Sequence, residues 1–442
     1  MAERANVLIV GSGFAGFGCA QKLVPRLTKA GEPAQVSLVS PTNYHLYTPL
    51  LADVAGGVIN PRRVAVPLAQ GLPGVRLVPG NVESIDLQAR TVVVVREGEE
   101  QPPLSWDRLV LTPGSVTRLF DIPGLEEHAR GLKTVAEAMY LHDHLIRQIE
   151  LSMFDEDDKS RKGRRTVVIV GASYAGTELV AQLRALADEA SRRHGLSSDD
   201  IDFLLLDKAD TVMPEVGTNL GERALKVLKQ RGIDVRLGMS LSSVADDHVV
   251  LEDGARVETR TVAWVAGVEP SPLVATLGLP TEKGRLIVGP DLSVPDHPHV
   301  FAAGDAAAVP DLTKPGKITP PTAQHALRQG HALARNVAAS LGVGTPKDYK
   351  HHDLGLVVDL GPGYAVADPV GLHLSGLPAK VVTRGYHLAA LPLGRNRLGV
   401  AFDWFTDLVS PRPVLQLGMV DAQESSFDVS EHRGDAFTAP KG

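Results

Sequence analysis

The chain has a single cysteine, Cys19, in 442 residues. One thiol cannot close an intramolecular disulfide, so a disulfide scaffold and an internal dithiol redox pair are both excluded. Placed just after the first glycine-rich turn, Cys19 reads as a packing residue of the first helix. Long apolar runs are also missing. Nothing approaches the roughly 18 uninterrupted apolar residues of a spanning helix, which leaves attachment to a membrane surface as the open option. Basic excess is missing too, because 45 Lys+Arg stand against 52 Asp+Glu for a net charge of −7. No nucleic-acid surface and no metal site are expected. The N-terminus reaches an apolar strand at 6–10 without a basic leader or a cleavage pattern, so no secretory signal is expected.

Glycine (43) and proline (31) are abundant, which suits many short strands and turns better than a helical bundle. With 43% hydrophobic residues, the length supports two or three domains with their own cores.

The most informative feature occurs twice. VLIVGSGFAGFGCA runs from an apolar strand into Gly11, Gly13 and Gly16, and VVIVGASYAGTELV does the same with Gly171, Ser173 and Gly176. In such a motif the glycines allow a tight turn, close approach of a pyrophosphate and close helix–strand packing, and the helix N-terminus favours the phosphate charge. Two motifs a domain apart imply two cofactors facing each other, the layout of a flavoprotein fed by a nicotinamide nucleotide. The fold expected is α/β, with two Rossmann-like units and a C-terminal α+β extension.

The acids that usually follow such motifs differ between the two. After the first, the next strand ends at Ser40, whose hydroxyl lacks the charge for a charge-assisted bond to a ribose. After the second, IDFLLLD ends at Asp207, which favours NADH over NADPH, while Lys208 weakens that discrimination. Glu178, read as lying in the first turn of the second motif's helix, is either a helix-end stabiliser or a group that orients nicotinamide or relays a proton. Asp305, after FAAG, is either an N-cap or a partner of the flavin's ribityl hydroxyls. Asn43, His45 and Pro49 either cover a cofactor or pack as a loop. Gly114, in the turn after the strand near 106–111, brings backbone close to a ligand, and Gly304 precedes Asp305. The helix expected over 320–338 places Gln324 and Arg328 one turn apart on one face.

Residues 5–420 resemble the type II NADH:quinone oxidoreductases, single-chain peripheral membrane flavoproteins. NYHLYTPLLADVAGG, TVAWVAGVEPSPLVATLGL and GRLIVGPDLSVPDHPHVFAAGDAA carry the likeness. The resemblance implies FAD on Gly11, Gly13, Gly16, Gly304 and Asp305, and NADH on Gly171, Gly176, Glu178 and Asp207. It also implies a quinone site on the helix that keeps Ala323, Gln324, Ala326 and Gly330 but has Arg328 where the family has glutamine. Arginine donates hydrogen bonds only, so it either stabilises a developing quinol anion or marks a more polar acceptor. The implied activity is FAD-dependent oxidation of NADH with two-electron transfer to a quinone and no proton pumping. A soluble NADH-dependent flavin reductase or diaphorase, and an NADH-responsive redox sensor, are the alternatives.

The domain organisation expected is an FAD-binding domain from 1–125 and 291–345, and an NADH-binding domain at 126–290 with a charged surface loop at 155–164. A region at 346–420 follows, then a polar tail at 421–442 that frays or docks loosely. In the third region Phe402, Trp404, Phe405, Leu408 and Val409 recur at helical spacing behind Arg395 and Arg397. Such a face suits an anionic membrane surface, a second copy of the chain or a cover over the FAD-binding domain, although Asp403 and Asp407 temper its apolar character. The location expected is cytoplasmic, including a peripheral position on the cytoplasmic face of the membrane.

Overall fold

A computed structural model describes residues 4–32, 34–214, 218–352 and 354–432. Strand Ala5–Val10 lies inside a six-stranded sheet, between Arg108–Leu111 and Ala34–Ser40. His297–Ala302 extends the sheet beyond 108–111, and Arg76–Pro79 extends it beyond 34–40. These pairings are parallel, and Ile9 sits opposite both Leu38 and Val110. Val7, Leu8, Ile9 and Val10 are all buried. Parallel strands covered on both faces read as unbroken apolar runs, which is why this strand is conspicuous in the sequence.

Helix Phe14–Ala30 packs closely on Ala323–Ser340. Their contact requires Gly330, where an added Cβ would run into the Ala15 carbonyl. The second helix starts at Ala323, capped by the Thr322 hydroxyl on the His325 N–H.

A second parallel sheet has the order 233–237, 202–207, 166–170, 261–264. The sequence suggests one small sheet that also includes 248–251. Those residues belong instead to a separate antiparallel sheet with Leu241–Val244 and Arg256–Glu258. Between the two parallel sheets run Ser115–Thr117 and Val268–Pro270, paired antiparallel. The architecture is α/β with two Rossmann-like units. The C-terminal region adds strands Leu356–Asp359, Ala365–Asp368 and Leu374–Ser375, then helices Leu377–Ala390 and Gly394–Val409.

Two expectations need correction. The charged stretch 155–164 lies at the surface but is not all loop, since Asp158–Arg164 is helical. Asp157 caps it through the Ser160 N–H, and Arg161, Lys162 and Arg164 occupy the last turn, where cations offset the helix dipole. The tail is not loose through 432 either. Ser425 and Phe427 are buried, and Glu431 is hydrogen-bonded to Thr117. Phe427 is its apolar anchor, and hydrogen bonds at either side of it complete the seat. Residues 433–442 lie outside the described residues.

Candidate functional site

The two glycine motifs form the same local structure. Gly11 and Gly171 have φ of +96° and +112°, and a Cβ at either would press on the chain leaving a neighbouring strand, at Thr112 and Val265. Gly16 and Gly176 each face the carbonyl of the motif's first glycine, with no room for a methyl group. Around Gly13, by contrast, an added Cβ meets nothing within 4 Å. The open space lies at the position where a pyrophosphate approaches, and the second motif tolerates Ser173 there.

Neither motif helix has a side-chain cap or an acid in its first turn. The helices at Val135 and Ala323 are capped by threonines. Uncapped N–H groups beside open space fit the phosphates of FAD at the first motif and of NADH at the second.

Ser40 ends its strand as expected, but its hydroxyl is buried 2.8 Å from Ser12 Oγ and receives the Thr42 N–H. It braces the first glycine loop. His45 lies behind the same loop, stacked on Phe17, with Nδ1 3.0 Å from the Ser12 carbonyl, and burial lowers its pKa to about 4. Asn43 is exposed, and its carbonyl accepts the Leu68 N–H. Gly114 has φ +78° with open space around its Cα.

Asp305 caps no helix. Its carboxylate accepts the Ser115 hydroxyl at 2.7 Å, and the Lys133 ammonium donates to that same hydroxyl at 2.8 Å. Just before it, the Gly304 N–H donates to Gln329 Oε1. Asp207 accepts the N–H of Ala172 in the second glycine loop at 2.5 Å and that of Ala209 at 2.7 Å. Lys208 is drawn to Glu252 at 2.8 Å.

Glu178 is the fifth residue of helix Tyr174–Arg193 and so falls in its second turn, not its first. It opens on a small cavity lined also by Pro49, Asp53, Asp359, Thr383 and His387. Its Oε1 accepts the Asp359 N–H at 2.8 Å. Burial, then the nearby charges of Asp359 and Asp53, push its carboxyl well above the usual carboxylate range, against the pull of that N–H and of Lys380. The Glu178 carboxyl is thus held more tightly to its proton than an exposed glutamate would be. Behind it the buried Lys380 ammonium meets both oxygens of Asp359, at 2.6 and 2.5 Å, and the Gly361 carbonyl at 2.9 Å.

Asp53, whose pKa is raised to about 6 chiefly by burial, accepts from Gln182 Nε2 at 2.6 Å and Trp404 Nε1 at 3.1 Å. Tyr47 Oη lies 3.0 Å from His387 Nδ1, and burial holds that imidazole neutral, with a pKa of about 4.

Gln324 and Arg328 do not line this cavity. Gln324 Nε2 donates to the Gly355 carbonyl at 2.9 Å and its side chain also bonds to Tyr386. Arg328 donates to the His352 carbonyl and lies 3.4 Å from His351 Nδ1. Gln324 thereby reaches helix Leu377–Ala390 at Tyr386, one residue before His387 of the cavity, and the Arg328 charge is felt at the same tyrosine.

The sequence reading misses Asp53, Asp359, Lys380 and His387. Asp359 had a visible signal, because it ends an apolar strand as Asp207 does. Lys380 and His387, three and ten residues into an amphipathic helix, had none.

Paired glycine loops, one per parallel sheet, with uncapped helix ends, define a two-nucleotide flavoprotein. Residues 5–330 match the family described as pyridine nucleotide-disulphide oxidoreductase, and the chain belongs to it. Within that class the type II NADH:quinone oxidoreductase Ndh of Mycobacterium tuberculosis (strain ATCC 25618 / H37Rv) is 30% identical over 440 residues, covering 95% of this chain and 91% of its own length. An internal alternative NAD(P)H-ubiquinone oxidoreductase A1, mitochondrial, of Solanum tuberosum is 28% identical, with 94% and 88% covered. The fold matches NDH2 from Plasmodium falciparum in complex with NADH at a TM-score of 0.86, 16% identity, and 93% and 100% coverage. The chain is a member of the type II NADH:quinone oxidoreductase family, an FAD-dependent oxidoreductase that takes NADH.

Proposed function

We propose that this chain oxidises NADH and reduces a quinone by two electrons, without proton pumping, at the periphery of a membrane. The observation that carries the reading is the pair of glycine loops with uncapped helix ends, the first with open space at Gly13. FAD, held by the first loop, supplies hydride acceptance and two-electron donation. The chain's own residues bind, orient and handle protons. Gly11, Gly13 and Gly16 admit the FAD pyrophosphate, Gly304 shapes the turn before Asp305, and Asp305 takes the ribityl chain. Gly171, Ser173 and Gly176 admit the NADH pyrophosphate. Asp207, fixed by two backbone N–H groups, presents its charge to the adenosine ribose.

Glu178 Oε1 is tied to the Asp359 N–H, and the carboxyl, whose proton affinity burial raises, is the group at this cavity that passes a proton. The Lys380–Asp359 pair holds that wall in place. Gln324 and Arg328 flank the acceptor side, where arginine offers donors to a quinone carbonyl.

An exposed apolar face supports a peripheral position at a membrane surface, and the cytoplasmic face is the side we propose. Leu398, Phe402, Phe405, Leu408 and Val409 are exposed on helix Gly394–Val409, next to Leu377 and Val381 of the preceding helix. Trp404 does not belong to this face, because it turns inward to Asp53. Asp403 and Asp407 are turned to Arg63 and to Arg412 and Arg384, so their charges are met within the fold.

The test is anaerobic. NADH is expected to bleach the yellow protein, and separately added menaquinone and ubiquinone analogues are expected to restore the colour. Bleaching with no return of colour on either quinone overturns the acceptor assignment and favours a polar acceptor.

A further inference from the structure

The C-terminal segment is seated against the connectors between the two nucleotide units. Phe427, 1% exposed, packs in the cluster containing Leu125, Ala129 and Trp264. The Arg130 guanidinium donates to the Ala422 carbonyl at 2.7 and 3.1 Å and to Ser425 Oγ at 3.2 Å. Glu431 then takes both donors of Thr117. One oxygen accepts its backbone N–H at 2.5 Å, and the other accepts its hydroxyl.

Two residues earlier on that strand is Ser115, which joins Lys133 to Asp305. Residues i and i+2 share a face of an extended strand, so the setting of Thr117 fixes the setting of Ser115. The other arm of the chain is tied to the same place. The Lys133 N–H donates to Glu137 Oε2 at 2.7 Å, and Glu137 Oε1 lies against Gly131, whose other neighbour is the Phe427 ring. Burial, then the Glu431 charge, push the Glu137 carboxyl up to about 8.

We infer that Glu431 is a positioning residue for the flavin site: by holding Thr117 it sets the Lys133–Ser115–Asp305 chain that receives the sugar alcohol of FAD. The inference rests on Asp305 belonging to that site. The C-terminal segment is thus a strap across the connector. Without the Glu431 carboxylate, Thr117 loses two hydrogen bonds, the strand beyond Ser115 is left to its pairing with Val268–Pro270, and the chain at Asp305 loses its alignment.

The experiment uses full-length protein stripped of FAD and titrated with FAD, following flavin fluorescence well below the melting temperature. E431A is expected to weaken FAD binding about tenfold. E431Q keeps one acceptor and is expected to restore part of the affinity. A purely structural role lowers the melting temperature without moving the FAD Kd or showing this graded rescue. If E431A does not fold, T117V removes the hydroxyl partner from the other side and is expected to weaken FAD binding severalfold. An FAD Kd within about twofold of the parent in the folded variants overturns the inference. D305N separates the two layers. If it weakens FAD while the Glu431 variants do not, the strap role alone is wrong, and if it too has no effect, the flavin reading at Asp305 falls as well.

Discussion

Replacing Asp53 by alanine removes the acceptor of two buried donors, Gln182 Nε2 and Trp404 Nε1. Leaving them unpaired is expected to cost about 1–3 kcal/mol, read by denaturant unfolding, and to loosen Trp404 enough to change its fluorescence. Asp53→Asn retains one acceptor and should lose less. At the adenosine end of the nucleotide, Lys208 is held by Glu252. Glu252→Gln frees that cation and is expected to raise the NADPH to NADH ratio of kcat/KM by a few fold, a modest effect because the pair is exposed. An unchanged ratio shows that Asp207 alone sets the preference.

Asp207 and Asp305 are legible in the sequence because each sits at the tip of an apolar strand. Asp359 carries the same mark in a segment where no glycine motif draws attention to it. Ser40 shows the opposite case. Its place on the strand is readable, but its bond to Ser12 depends on a loop 28 residues away.

Gly330 lets helix Ala323–Ser340 rest on the N-terminal turn of helix Phe14–Ala30. Gly330→Val is expected to cost about 1–3 kcal/mol by overpacking, seen as a lower melting temperature and easier loss of FAD. In helix Val135–Ser152, Glu137 closes a capping box with Thr134 while its other oxygen is buried without a partner.

Its carboxyl moves from 4.5 to about 8 on folding, so the native state holds a proton that the unfolded chain has released between those values. Stability from this group is complete below about pH 4.5 and is lost as the pH rises through about 8. Glu137→Gln should flatten that decline in melting temperature between pH 5 and 8. A parallel decline in the variant assigns the effect to another group.

Strands and helices with one strong period are legible, as the two motif units are. The helix at 158–164 is not, because its support is polar and capped rather than apolar. The seat of the tail is hidden for a different reason, since Phe427, Ser425 and Glu431 meet partners far away in the chain.

At the scale of the molecule, the exposed residues of helices 377–390 and 394–409 form one side, and the acids of the second helix are turned to inward arginines. Sedimentation with vesicles of anionic lipid is expected to carry the protein down. Phe402→Glu with Phe405→Glu should reduce the bound fraction several fold while the melting temperature stays near the parent's. Equal sedimentation of parent and variant removes this face from membrane docking, and a fall in oligomer mass in the variant assigns it to a second copy instead.

The lone thiol offers a practical handle. Cys19 is wholly enclosed where the first helix meets its sheet, and burial raises its pKa far above the ordinary range. An alkylating reagent therefore finds nothing to attack until that half of the protein opens, after which it reacts once per molecule. The rate of labelling becomes a clock for opening of the Rossmann-like unit that holds the first helix, with no second sulfur to blur the count.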